Sequence, residues 1–190
     1  MGSSSSSSLT VLTEDILEEY TLLSYLNKAE ILNLYKIFGT LDEKGLLQNL
    51  EYRFPRYAIE HLFPQLKYNP FKDRIFRVFS SHKDDKFSFE DMLDLCSVMS
   101  DKCPDKIKAA WAFKIFDFDE DDAVGEEDLM EVINKLTGSA GTIDIEHQEH
   151  IIKILLEEMD LASSGSVGQL EFVHAVGKMS EFPHSFCFHI

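Results

Sequence analysis

Acidic side chains crowd one short stretch of this chain, Asp117 to Asp128, which reads Asp-Phe-Asp-Glu-Asp-Asp-Ala-Val-Gly-Glu-Glu-Asp. Asp117, Asp119 and Asp121 stand at alternate places, and Asp128 closes the window at its twelfth place. Along a tight loop, alternation turns the first three carboxylates toward one point. Asp128 reaches back to that point from the start of the next segment, and Ala123, at the seventh place, adds its main-chain carbonyl. Hard oxygens gathered in this way suit a hard divalent cation, Ca²⁺ and/or Mg²⁺. Four carboxylates also repel one another, and a bound divalent ion relieves that repulsion.

This is the ligand spacing of an EF-hand loop. Two places depart from the usual pattern. The sixth place, where the backbone turns through positive φ and glycine is favoured, holds Asp122, one of the few other residues that tolerates the left-handed region. The twelfth holds Asp128 in place of Glu, one methylene shorter. Two-oxygen coordination is then harder to reach, six-fold geometry is favoured, and Mg²⁺ becomes a plausible resident.

Other windows repeat the length without the full ligand set. Asp160 to Glu171 keeps Asp160 at the first place, Gly165 at the sixth and Glu171 at the twelfth, but carries Ala162 and Ser164 where carboxylates would stand. A weaker second site is expected there, built on Asp160, Ser164, Ser166 and Glu171. Ser80 to Asp91 places Ser80, His82 and Lys86 at ligand positions, so it keeps the shape and is expected to have lost the ion. Gly39 to Arg56 has the position of a first loop but no convergent carboxylates.

Helices must flank these loops. Thr13 with Glu14 and Asp15 reads as a cap and acidic first turn for a helix to about Tyr25, and Asn27 with Glu30 as a capping-box start for Lys28 to about Phe38. A short helix is expected around Tyr57 to Phe63. Asn69-Pro70 is expected to open the next, with Phe76 and Phe79 inside. Met92, Leu95, Cys96 and Met99 mark the helix after Ser80–Asp91. Pro104 opens the helix into the main loop, with Ile107, Trp111, Phe113 and Phe116. Leu129, Val132, Ile133 and Leu136 line the exit helix before Gly138. A last unit runs from about Ile145 to Met159 and resumes with Phe172, Ala175, Val176 and Met179.

The helix-loop-helix unit recurs at roughly forty residues, with an apolar residue at the eighth loop place each time: Phe87, Val124 and Val167. Paired EF-hands bring those residues together across a short two-stranded ribbon. The expected fold is therefore all-α, with four EF-hand units in two paired lobes. Its parts are a tail over 1–12, a degenerate N-terminal pair over 13–102, an ion-binding C-terminal pair over 103–180 and an apolar tail over 181–190.

Composition narrows the function. With 34 acidic against 18 basic residues, the net charge of −16 leaves no basic stripe for phosphate contacts, which excludes nucleic acid as a partner class. It suits a cation binder or a partner of basic helices. The 3 cysteines, Cys96, Cys103 and Cys187, have no metal-ligand spacing and read as reduced thiols. No apolar run reaches transmembrane length and no signal-peptide pattern appears, so a soluble, cytoplasmic protein is expected. Met1-Gly2-Ser3-Ser4-Ser5-Ser6 fits the N-myristoylation pattern at Gly2, against the competing reading of a plain low-complexity tail. One acyl chain gives only reversible, peripheral membrane association.

Longer motifs carry a family resemblance. Asn69-Pro70-Phe71-Lys72-Asp73-Arg74-Ile75, Phe87-Ser88-Phe89-Glu90-Asp91, Ala112-Phe113-Lys114-Ile115-Phe116-Asp117-Phe118-Asp119 and Phe182-Pro183-His184-Ser185-Phe186 resemble the calcium- and integrin-binding protein family, in one order from Glu14 to the C-terminus. The resemblance implies four EF-hands with only the last two competent for ions, acylation at Gly2, and third-loop ligands at Asp117, Asp119, Asp121 and Asp128. It implies an adaptor for membrane-proximal helices of receptors, channels and some kinases, integrin α tails among them. Ala162 and Ser164 depart from the family pattern.

For such a partner, an amphipathic helix of a membrane protein or kinase, the expected groove is lined by Trp111, Phe113, Leu136, Ile152, Leu155, Phe172, Val176 and Met179, on a monomer. The tail from Phe182 to Ile190 is expected to cover that groove until a partner displaces it. The alternative is a regulatory subunit of an enzyme, similar to calcineurin B or the neuronal calcium sensors, which needs two or more competent loops. An enzyme in its own right would have to use His147, Glu149 and His150. They stand on a polar helix face without a nucleophile or phosphate loop, so no enzymatic activity is expected.

Overall fold

A computed structural model describes residues 11–42, 49–138 and 143–187. Gly2, the serine-rich start and residues 43–48 of the degenerate first loop lie outside the described residues. Capping and apolar spacing set the elements. Thr13 accepts a bond from the Ile16 amide and opens α1, Glu14–Leu23. That helix stops short of Tyr25, because Ser24 turns out of helical geometry and donates its hydroxyl to the Tyr20 carbonyl. Asn27 and Glu30 form both bonds of a capping box at the start of α2, Lys28–Gly39.

Next come β1, Phe54–Pro55, and the helices α3, Arg56–Leu62, and α4, Pro64–Lys67. The Asn69-Pro70 start needs correction. α5 runs over Lys72–Phe79, and Asn69 instead accepts the Phe71 amide at 2.8 Å, closing an Asx turn ahead of the helix with Pro70 inside it. β2, Lys86–Phe87, leads to α6, Phe89–Val98, whose Ser88–Asp91 capping box is complete. The C-terminal half holds α7, Asp105–Phe116; β3, Ala123–Val124; α8, Glu126–Thr137; α9, Ile145–Met159; β4, Val167–Gly168; α10, Gln169–Val176; and α11, Phe182–Ser185. Gly138, at φ 74°, ends α8.

Two antiparallel ribbons tie the loops in pairs. Val124 faces Val167 in one, so these eighth-place residues meet as expected, and Phe87 faces Phe54 of the first loop in the other. A larger core spans Leu12 to Met99 and a smaller one spans Ala109 to Val176. α7 serves both cores. Trp111 and Ile115, four apart, face the first, while Ala109, Ala112 and Phe113 face the second. A helix apolar on both sides is a buried helix, and Lys-Ile-Lys-Ala-Ala-Trp-Ala-Phe-Lys-Ile-Phe has that pattern.

Candidate metal centre

Asp117 follows directly on α7, and Asp128 sits in the first turn of α8. Both are buried, whereas Asp119 and Asp121 are exposed. Oxygens of Asp117, Asp119 and Asp128 lie within 4.8 Å of one another, the one group of three or more acidic, histidine or cysteine ligands found among the described residues. Asp121 stands apart from that group and accepts the Ala123 amide at 2.9 Å.

Main-chain amides hold the acids in place. Asp117 accepts from the amides of Asp121 and Asp122 at 3.2 and 3.1 Å. Asp128 accepts from Phe118 at 2.8 Å and from Gly125 at 2.9 Å, which joins the two ends of the loop. Asp122 turns through φ 66°, as the sixth place requires. Burial pushes the Asp117 carboxyl above its ordinary range, and the charge of Asp128 adds to the push against the stabilising amides. An all-oxygen donor set of this kind, charged and partly dry, fits Ca²⁺ or Mg²⁺ and not a soft metal. An open hollow of about 610 Å³ lies against the loop, lined by Asp119, Asp121, Glu126, Glu127, Asp128 and Glu131 among others.

Basic residues absent from the sequence-based expectation complete the surroundings. Arg74, from α5, is buried and donates to the carbonyls of Lys114 at 3.0 Å, Ile115 at 3.4 Å and Asp117. Its charge lies where the α7 dipole is negative. Glu120, at the fourth place of the loop with φ 62°, meets Arg77 at 2.9 Å, Lys83 at 2.6 Å and Arg74 at 3.3 Å. Arg77 and Lys83 pull its carboxyl down to about 2. The second hand thus grips the outer edge of the third loop. Arg74 and Arg77, three apart on one helix face, are the sequence signal for this grip. Nothing near them in sequence identifies Glu120 as the partner.

In the fourth loop, Asp160 accepts the amides of Ser164 at 3.0 Å and Gly165 at 2.7 Å. Glu171 accepts those of Ala162 and Gly168, each at 2.9 Å. The Ser164 hydroxyl donates to the Ser166 carbonyl at 2.9 Å. The loop is formed, but its two acids are occupied by amides and no third acid joins them.

The expected groove residues divide by position. Phe113, Ile152, Phe172 and Val176 are buried in the C-terminal core and Leu155 packs against it. Leu136 and Met179 are 63% and 51% exposed. Trp111 turns away from this lobe and stacks on Phe79 at 4.5 Å, because its side of α7 faces the N-terminal core. The C-terminal segment lies on the second lobe. Phe182 and Phe186 stack at 5.7 Å and pack against its core, and Phe186 also packs against the first core. Lys108, only 1% exposed, donates to the Pro183 carbonyl at 3.3 Å and meets the Cys187 sulfur at 3.1 Å. His147, by contrast, is 73% exposed, and its ring meets Asp144, at the start of its own helix, at 2.6 Å.

Known proteins resemble this chain over nearly its whole length. Residues 106–177 match the family model for an EF-hand domain pair. Calcium and integrin-binding family member 2 of Drosophila melanogaster is 34% identical over 180 residues, 92% of this chain and 94% of the relative. The human protein of that name is 33% identical, covering 93% of this chain and 95% of its own length. The mouse protein is 32% identical with the same coverage, 93% and 95%.

Proposed function

The chain belongs to the calcium and integrin-binding family, and from that premise we propose an ion-responsive adaptor whose C-terminal lobe receives the apolar face of a membrane-proximal helix. By family and by its EF-hand pair it is a calcium-binding regulatory protein. Asp117, Asp119, Asp121, the Ala123 carbonyl and Asp128 hold Ca²⁺ or Mg²⁺. Asp160, Ser164, the Ser166 carbonyl and Glu171 form the weaker second site. A bound ion supplies two positive charges to the acidic cluster, and the chain's own acids then tie the end of α7 to the start of α8. Because α7 also packs on the N-terminal core, that tie fixes the floor of the C-terminal lobe against both halves of the molecule.

The partner is a helix of a receptor, channel or kinase with basic residues flanking an apolar stripe. The relatives' names state integrin binding, and an integrin α tail just inside a membrane has this chemistry. The net charge of −16 complements it. One observation carries the proposal: Phe182 and Phe186 lie stacked over the C-terminal core, so the chain already covers an apolar site with a short terminal piece of its own. A partner helix displaces that piece. The protein acts as a monomer, without enzymatic activity and away from nucleic acid. It is cytoplasmic and reaches the membrane only through its partner and an acyl group on Gly2. The exposed acids Glu14, Asp15, Glu18 and Glu19 near that end oppose an anionic leaflet.

Calorimetry with a basic amphipathic peptide, with and without Ca²⁺, tests this on the full chain and on a chain ending at residue 181. The shortened chain should bind more tightly. If it unfolds, or binds no better, Phe182 to Ile190 is a fixed part of the core and the displacement idea fails.

A further inference from the structure

The second loop has no convergent acids at its first and third places, yet its backbone is that of an ion loop. Lys83 and Asp85, at the fourth and sixth places, take φ 52° and 59°, matching Glu120 and Asp122 of the third loop at 62° and 66°. Asp91 at the twelfth place accepts the amides of Ser81 and Ser88 at 3.0 and 2.9 Å, as Asp128 accepts those of Phe118 and Gly125. Something holds this loop closed around its centre.

Arg53 stands in that centre. Its side chain is 14% exposed. One terminal nitrogen donates to the Ser81 hydroxyl and to Asp91, both at 2.8 Å. The other donates to the Ser80 hydroxyl at 2.9 Å, Asp84 at 2.8 Å and the Lys86 carbonyl at 2.7 Å. Nε completes a fork on Asp84 at 3.3 Å. Ser80, Asp84, the Lys86 carbonyl and Asp91 are the first, fifth, seventh and twelfth places. Those are the places where the third loop has Asp117, Asp121, the Ala123 carbonyl and Asp128.

We propose that the Arg53 guanidinium is the resident cation of the second hand, replacing a divalent ion and keeping the N-terminal lobe in its loaded form without metal. The loop's chemistry is matched to that occupant. A monocation that donates hydrogen bonds is met by two carboxylates, hydroxyls and a carbonyl, whereas the third loop offers four carboxylates for a dication. Delivery is built into the fold. Arg53 directly precedes β1, and the Phe54–Phe87 pairing places it against the loop that β2 closes. The ion response of the protein is then confined to its C-terminal half.

Hydrogen exchange on the full chain, in chelator and in millimolar Ca²⁺, tests this with wild type and Arg53→Met, which keeps length and removes charge. In wild type, amides of 80–91 should be protected equally with and without Ca²⁺, while those of 117–128 gain protection with it. Arg53→Met should lose about tenfold or more of the protection over 80–91 in chelator, and millimolar Ca²⁺ should leave that loss in place, because only Asp84 and Asp91 converge there. Wild-type protection over 80–91 that rises with Ca²⁺ as it does over 117–128 would overturn the proposal, and this arm stands even if the variant does not fold. Unchanged protection in Arg53→Met, or its full recovery in millimolar Ca²⁺, would also overturn it.

Discussion

The loops 80–91 and 117–128 share a backbone, a ribbon residue at the eighth place and a twelfth-place aspartate bonded to two amides. They differ in charge at the centre. The second gathers Asp84 and Asp91 around a guanidinium from its own lobe, and the third gathers Asp117, Asp119 and Asp128, whose carboxylates accept main-chain amides. An EF-hand loop is therefore a backbone form first, held by its ribbon and its twelfth place, and its cation is a separate choice set by how many carboxylates converge. The loops also touch. Arg77 and Lys83 grip Glu120, so the metal-independent hand braces the metal-dependent one.

The largest effect on this comparison should come from Asp117→Ala. It removes the buried acid at the first place of the third loop, and tight Ca²⁺ binding by calorimetry should fall by about a hundredfold or more. Two tight sites surviving in that variant would mean that the ion chemistry is not concentrated in the third loop.

Arg74→Ala weakens the brace, since Arg77 and Lys83 still hold Glu120. It leaves the carbonyls of Lys114 and Asp117 without their buried donor, and thermal unfolding in chelator should show a loss of about 2–3 kcal/mol. A loss of only about a few tenths of a kcal/mol would show that the lobes do not lean on each other through this residue.

Asp128→Glu sharpens the contrast at the twelfth place. The longer acid should reach two-oxygen coordination and raise the preference for Ca²⁺ over Mg²⁺ by about tenfold, read by competition titration. Unchanged selectivity would remove the geometric account of that position. The smallest change is expected from Asp160→Ala. The fourth loop already lacks two carboxylates, so high-affinity Ca²⁺ binding should shift by less than about twofold.

Much of the ion loop was legible in the sequence because its signals are local. The spacing marks Asp117, Asp119 and Asp128, whose oxygens the fold brings together, and Asp121, which the fold leaves apart from them. Asn27–Glu30 fixes a helix start, and Phe87, Val124 and Val167 mark the ribbons. Asn69-Pro70 misled because an Asx turn and a helix cap use the same side-chain oxygen, and only the bond to Phe71 distinguishes them. Trp111 misled for another reason. α7 is apolar on opposite sides, and periodicity cannot say which core claims which side.

The sequence by itself determined the family, the helix-loop-helix units and the acids able to meet an ion, because each depends on residues within one loop or one helix turn. Only the tertiary structure decided that Arg53 fills the second loop from 27 to 38 positions away, and that Arg74 and Arg77 reach Glu120 across 46 and 43. A long flexible cation can pair with any of the chain's 34 acids. Which one it meets is settled when the two cores close on α7 and the ribbon sets Phe54 against Phe87.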